Sequence, residues 1–155
     1  KKDVLVTLDP SRYTNPRHYS GANLIKPNFQ EATIMVEGLG YREKQPQEMA
    51  KILSQELQSN MVVITLGGDG MCLYESRSAL NVIIPTVANN VYDVSGAGDT
   101  AISLLTAGLL AGGTLEEAAW LGNCGAGVVV GKKGTATVSL DELVKFHNYL
   151  QNRIQ

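Results

Sequence analysis

Only two cysteines occur in the 155 residues, Cys72 and Cys124, far apart and without C-x-x-C spacing. That argues against a disulfide or a metal pair and predicts reduced core thiols in a cytosolic protein. His18 and His147 show no metal-ligand spacing either and are expected at the surface. Charged residues make up 18% of the chain and the formal net charge is −2, so nothing in the overall balance draws it to nucleic acid or an anionic membrane. No apolar run is long enough to span ~30 Å of bilayer, because the segment after Asp99 is broken by Ser103, Thr106, Gly108 and Gly112. A charged leader with a signal-peptide core is lacking, as is an initiating methionine: Lys1 leads almost at once into Val4-Leu5-Val6. The expected setting is cytoplasmic and the expected partners are small ligands. An interior strand so near the start is expected to have further polypeptide before it.

What is present suits one domain over residues 1–155, with 44% of residues apolar. Val4 to Leu8 reads as a buried strand stopped by Asp9-Pro10, Leu24-Ile25 as a second, and Met61 to Leu66 as a third. Gly67-Gly68-Asp69-Gly70 then turns the chain, and residues 71–74 and 82–84 read as shorter strands, antiparallel or at an edge. Helices are predicted from Phe29 to Val36, ended by Gly38 and Gly40, and from Pro46 through Met49, Ile52, Leu53 and Leu57. Residues 100–111 and 116–130 are helical and apolar on most faces, which predicts burial on both sides of each. Ser139-Leu140-Asp141-Glu142 is a capping box opening a last helix through Leu143, Phe146 and Leu150. Strands alternating with helices predict an α/β fold with a mostly parallel sheet and a small antiparallel edge. Ligands of such sheets sit beyond the carboxyl ends of the strands.

The stretch Asp93-Val94-Ser95-Gly96-Ala97-Gly98-Asp99-Thr100 ends a glycine turn with a carboxylate just ahead of a helix. It formally fits the relaxed dinucleotide fingerprint G-x-G-x-x-A, but strands precede it in number and Asp99 would face the pyrophosphate. Two like unit charges about 4 Å apart repel by roughly 4 kcal/mol at an effective dielectric constant of 20. A purely structural reading makes Asp99 a first-turn acid that complements the helix dipole. A third reading makes it a reactant: phosphoryl transfer needs an anion cradle and a group that accepts the attacking hydroxyl's proton. The N–H groups of Gly96, Ala97 and Gly98 would hold the phosphoryl oxygens while Asp99 faces the alcohol.

These residues resemble the D-T-x-G-A-G-D signature of the ribokinase-like (PfkB) carbohydrate kinases, with Ser95 for the usual threonine. Pro27-Asn28-Phe29-Gln30-Glu31 resembles that family's P-N-x-x-E element, and Ile64-Thr65-Leu66-Gly67-Gly68-Asp69-Gly70 its nucleotide-binding strand and turn. Asn123, Ala126-Gly127 and Gly131-Lys132-Lys133-Gly134-Thr135 resemble the helix and loop that enclose its adenine. Local details, among them Asp9-Pro10 with Arg12-Tyr13 and the run from Gly127 to Ser139, are similar to the heptose 7-phosphate kinase group.

The resemblance implies a ribokinase-like three-layer α/β/α fold, of which this chain is the C-terminal, nucleotide-binding half. It implies an ATP- and Mg²⁺-dependent sugar kinase, with Asp99 as base and Gly96, Ala97 and Gly98 as anion hole. Asn28 and Glu31 would hold magnesium through water, and Thr65, Gly67, Gly70, Asn123, Gly127 and Gly131 would bind the nucleotide. A monovalent cation is an allowed further cofactor. The acceptor it implies is a phosphorylated sugar, a heptose 7-phosphate phosphorylated at O1. The other half of the domain would supply most sugar contacts and a lid that makes the full-length protein a homodimer; without it, efficient turnover is not expected. Alternatives stay open. Asn28 and Glu31 also read as a helix cap and a dipole-compensating acid, Gly67 to Gly70 as a plain turn, Lys132 and Lys133 as solvated, and Tyr92 and Trp120 as packing groups. A kinase of another sugar or nucleoside, or a non-catalytic ATP-binding module, would carry many of the same residues.

Overall fold

The structure, a computed structural model, describes residues 4–88 and 91–154, so Lys1 lies outside the described residues. The chain forms two compact units, Lys1–Ile84 and Pro85–Gln155. The first holds a five-stranded sheet in the order β1 (Thr7–Leu8), β2 (Leu24–Ile25), β3 (Met61–Thr65), β4 (Met71–Glu75) and β5 (Leu80–Ile84). β1, β2 and β3 are parallel, and β4 and β5 continue antiparallel to the edge. The strand expected over residues 4–8 is shorter, because its partner β2 is only two residues long. Before Thr7 the link is local: the Val6 carbonyl accepts from the N–H groups of Asn23 and Leu24.

Two helices cover one face of this sheet. α1 (Phe29–Gly38) starts at a capping box in which Asn28 and Glu31 satisfy each other's N–H groups. α2 (Pro46–Leu57) opens on proline, whose missing N–H costs nothing there, and ends at Gln58 in a left-handed conformation (φ 52°). Met49, Leu53 and Leu57 pack with Met35, Val36, Ile25, Val62, Ile64 and Cys72 into one core, and each such fully buried side chain contributes roughly 2 kcal/mol. Leu24, Val63 and Leu73, on the opposite pleat, are also fully buried, as a continuous apolar strand requires. At the carboxyl ends of β1 and β2, Lys26 Nζ lies 2.9 Å from Asp9 Oδ2, with the lysine side chain only 3% exposed. The attraction between the two offsets part of the desolvation cost of burying the side chain.

The second unit contains α3 (Ala97–Leu110), α4 (Leu115–Val130) and α5 (Leu140–Ile154). α3 and α4 approach closely through glycines: a Cβ on Gly108 would lie 2.9 Å from Ala118 Cα, and one on Gly122 would lie 2.9 Å from the Ala101 carbonyl oxygen. α4 starts at a capping box of Thr114 and Glu117 and is buried along most of its length. α3 departs from the expected two-sided burial: Ala101 and Leu105 are buried, whereas Leu110 is 70% exposed. Its apolar residues point all round, but the packed stripe is the one that faces α4.

The predicted box at Ser139 and Glu142 opens α5, and Leu143 and Leu150 pack with Cys124. His147 is not a plain surface residue, since its Nδ1 accepts the indole N–H of Trp120 at 3.3 Å. Cys72 and Cys124 are free and buried, and burial pushes both thiols up to about 11, which leaves them protonated and unreactive at neutral pH. Among the described residues, no helix is long and apolar enough to cross a membrane.

Candidate active site

In the first unit, the candidate residues gather at the carboxyl ends of β2 and β3. The Thr65 N–H donates to the Pro27 carbonyl at 3.0 Å, and Asn28 and Thr65 form a parallel bridge, so the α1 cap and the end of β3 are neighbours. Asn28 Oδ1 accepts the Glu31 N–H and Glu31 Oε2 accepts the Asn28 N–H, both at 2.9 Å. The helix-cap reading therefore describes what these side chains do, and it also limits what they can offer. One lone pair of Oδ1 is given to the helix, while the amide NH2, which cannot ligate a cation, can donate to a phosphate oxygen. Glu31 keeps Oε1 for a metal-bound water. No group of three or more His, Cys, Asp or Glu residues able to hold a metal occurs among the described residues. This donor set fits a magnesium ion held through its own waters and does not fit direct all-protein coordination.

After Thr65 the chain makes a 3₁₀ turn over Gly67–Asp69. Gly70 is required there by its backbone, at φ 97° and ψ −131°, a conformation closed to other residues. Its N–H closes the turn on the Gly67 carbonyl at 3.2 Å, which corrects its expected use as a phosphate donor. Gly67, Gly68 and Asp69 are the exposed part of this turn.

In the second unit, α3 begins on Gly96, which adopts a left-handed conformation (φ 81°) and provides no side-chain cap. The Thr100 N–H donates to the Gly96 carbonyl, and the Ala97 N–H folds back on the Val94 carbonyl at 3.2 Å. Ala97 is therefore not an open donor as expected. By helix geometry the N–H groups of Gly98 and Asp99 have no acceptor within the helix, and both residues are exposed. The carboxylate of Asp99 thus stands on the same first turn as uncapped N–H donors at the positive end of the helix dipole.

Asp93 opens the signature stretch, and its carboxylate has a structural role. Its Oδ1 accepts the Ser95 N–H at 2.9 Å and its Oδ2 accepts the Gly134 N–H at 3.1 Å, tying the glycine turn to the 131–139 loop. Hydrogen bonds from the Ser95 backbone and hydroxyl, then from Gly134, hold this carboxyl below the usual carboxylate range. The available sequence signal was an aspartate two residues before a serine, the pattern of an Asx turn. Asn123 differs from its expected role at the base: it is 4% exposed and donates its amide N–H to the Pro85 carbonyl at 2.7 Å. Gly127 is a packing glycine, since a Cβ there would press on the Phe146 ring and Val87. Gly131 is the exposed C-cap of α4. Tyr92 is 69% exposed and not a packing group.

Lys132 is bound rather than solvated: Nζ lies 2.7 Å from Glu142 Oε1 and donates to the Thr137 carbonyl at 2.8 Å. The Lys132 ammonium, then the Ser139 N–H and hydroxyl, lower the Glu142 carboxyl to about 2. Because the folded value lies below that of the unfolded chain, the stability contributed by this carboxylate is present above about pH 5 and is lost as pH falls toward 2. In acid melts the difference in Tm between the parent chain and Glu142→Gln is therefore expected to shrink steadily from pH 6 to pH 2. A difference that stayed constant over that range would remove the ion pair as its source.

The model of the pfkB family carbohydrate kinases matches residues 1–143. The bifunctional protein HldE of Nitratiruptor sp. is 38% identical over 97% of this chain, which spans 32% of that protein. HldE of Nitrosococcus oceani is 45% identical over 90% of this chain, which spans 29% of it. The chain thus spans about a third of the length of these curated relatives. Among solved structures, ribokinase from Thermotoga maritima superposes with a TM-score of 0.84 at 22% identity, covering 93% of this chain and 49% of that one. Phosphofructokinase-2 from Escherichia coli superposes with a TM-score of 0.78 at 22% identity, covering 94% and 47%. The fold is ribokinase-like.

Proposed function

The chain belongs to the pfkB family of carbohydrate kinases, and from that premise we propose that it is the nucleotide-binding and catalytic part of an ATP-dependent sugar kinase. The observation that carries this reading is the start of α3: a left-handed glycine without a side-chain cap, with Asp99 exposed on the turn that follows. With no capping side chain, first-turn N–H groups are left open to an anion.

In the proposed reaction the sugar hydroxyl oxygen bonds to the γ-phosphorus of ATP, the bond to the β–γ bridging oxygen breaks, and ADP leaves with that oxygen. Asp99 accepts the hydroxyl proton as the new bond forms. The N–H groups at the head of α3 hold the equatorial phosphoryl oxygens, with Gly96 and Gly98 allowing close approach. Asn28, Thr65 and the exposed Gly67-Gly68 turn would meet nucleotide phosphate, and Glu31 would hold a divalent ion through its waters; that ion would supply positive charge to the phosphates.

For the acceptor we take a heptose 7-phosphate, phosphorylated at O1, from the resemblance carried by Asp9-Pro10 with Arg12-Tyr13 and the run from Gly127 to Ser139; identities of 38% and 45% to proteins named HldE, of which this chain spans about a third, accord with a heptose kinase. A cytoplasmic kinase that makes a precursor for ADP-heptose and lipopolysaccharide core, and that dimerises as a full-length protein, accords with this. The test is a screen of the full-length protein with Mg-ATP against heptose 7-phosphate, ribose, fructose 6-phosphate and nucleosides, with and without potassium. Heptose 7-phosphate is expected to give the highest kcat/KM by at least tenfold or so; comparable turnover of an unphosphorylated sugar would overturn the acceptor assignment, and no turnover of any sugar would overturn the kinase reading. This 155-residue chain alone is expected to bind Mg-ATP and to phosphorylate none of them efficiently.

A further inference from the structure

The loop between α4 and α5 is pinned from both sides. On one side Glu142 divides its carboxylate, with Oε1 on Lys132 Nζ and Oε2 on the Ser139 N–H and hydroxyl. Lys132 also donates to the Thr137 carbonyl, so its ammonium closes residues 132–137 into a ring anchored on the first turn of α5. On the other side the Gly134 N–H, presented from a left-handed residue (φ 72°), donates to Asp93 Oδ2. The same loop lies against the head of α3: a Cβ on Gly96 would be 3.4 Å from Thr135 Cγ2. The conformation of Gly96 is therefore supported by a loop whose own shape depends on a charge pair with α5.

We propose that Lys132 is a positioning residue: its pairing with Glu142 and the Thr137 carbonyl holds the 131–139 loop so that Gly134 grips Asp93, and this fixes the phosphate turn at the head of α3. The proposal rests on the reading of that turn as a phosphate site. It differs from the two roles that a lysine here invites. A solvated lysine would have no effect on the turn, and a direct phosphate ligand would act through its own charge. Both pair members are partly exposed, the side chains at 32% and 42%, so the clamp is expected to shift binding by a few-fold rather than abolish it.

The experiment measures Mg-ATP affinity by calorimetry, amide hydrogen exchange at Gly134, and thermal unfolding through the single tryptophan, Trp120. Lys132→Met is expected to weaken Mg-ATP binding about fivefold and to speed exchange at Gly134, with the unfolding midpoint moved by only about 2 °C. Lys132→Arg keeps the pair and is expected to behave as the parent. Glu142→Gln separates the mechanisms, because glutamine still caps Ser139 while the ion pair is lost. A clamp predicts weaker binding and faster Gly134 exchange in Glu142→Gln. A direct ligand, released from its carboxylate, predicts binding as tight or tighter with exchange unchanged, and that result overturns the proposal. If the parent chain binds no Mg-ATP, the phosphate reading fails separately. The clamp is then judged by exchange alone, supported if Gly134 exchanges faster in both variants and overturned if it does not.

Discussion

Replacing Asp99 by asparagine is expected to lower kcat of the full-length protein by about a thousandfold while leaving the Kd for Mg-ATP within about twofold of the parent. The substitution preserves size and polarity, and the residue is exposed on the first turn of α3, so the fold has little to lose. Removing an acid from that turn forfeits about 0.3–1 kcal/mol of dipole interaction, which is small against the roughly 4 kcal/mol of barrier that a thousandfold represents. What asparagine cannot do is accept a proton at neutral pH. Nor does it repel the nucleotide, so affinity is expected to hold or rise slightly as turnover falls. A steady-state assay paired with calorimetry on the same preparation separates the two effects. Unchanged turnover would return Asp99 to the role of a dipole-compensating acid and favour the non-catalytic ATP-binding module.

Which parts of this could be read from residues alone follows from the range of the interactions involved. Asn28 with Glu31, Pro46, and Ser139 with Glu142 act within one helical turn, and each starts a helix where the sequence places it. Gly67 to Gly70 likewise returns the chain antiparallel, because the left-handed angles at Gly67 and Gly70 are written into the residue type. Errors arise where the deciding partner is distant. Val4 to Leu8 is apolar enough for a strand, but its length is set by a two-residue neighbour. α3 is apolar all round, yet only the stripe against α4 tells which residues are buried.

The site divides in the same way. That Asn123 carries an amide donor is plain from composition; that it is turned to the Pro85 carbonyl, 38 residues back, is a tertiary fact, whereas Gly70 and Ala97 close on the carbonyls of Gly67 and Val94 in local turns. The converse holds for Asp93 and Lys132. One looked like part of a signature and the other like a solvated charge, and 41 residues separate Asp93 from the Gly134 amide that gives it a purpose. For bonds of this range donor direction, unlike donor identity, has no local code.

Gly122 is, with Gly108, a position at which an added side chain should cost much stability, since each would set a Cβ 2.9 Å from backbone of the facing helix. A Cβ on Gly122 would lie 2.9 Å from the carbonyl oxygen of Ala101 and 3.4 Å from Leu105 Cγ. The first of these is helix backbone and cannot rotate aside, so α3 and α4 must separate. At Gly125 the closest atom would be the Leu104 methyl, which a rotamer change can remove, and the expected cost is smaller. Gly122→Ala gains about 1 kcal/mol of helix propensity against an overpacking cost of about 1–3 kcal/mol, leaving a small net loss. Gly122→Val adds two methyl groups to the same gap with none of alanine's propensity advantage. It is expected to destabilise the second unit by about 3 kcal/mol, lowering the unfolding midpoint by roughly 10 °C for a chain of this size. Trp120 lies on α4, and its fluorescence reports that unit directly. Gly68→Ala is the control: its Cβ would meet nothing within 4 Å and its φ is not positive, so the midpoint should barely move. Because α3 carries Gly98 and Asp99 at its head, displacing it from α4 should also weaken Mg-ATP binding by the folded Gly122→Val protein. A variant with unchanged stability would mean that the two helices can part at Ala101 without cost, and that the close glycine contact is not what seats α3.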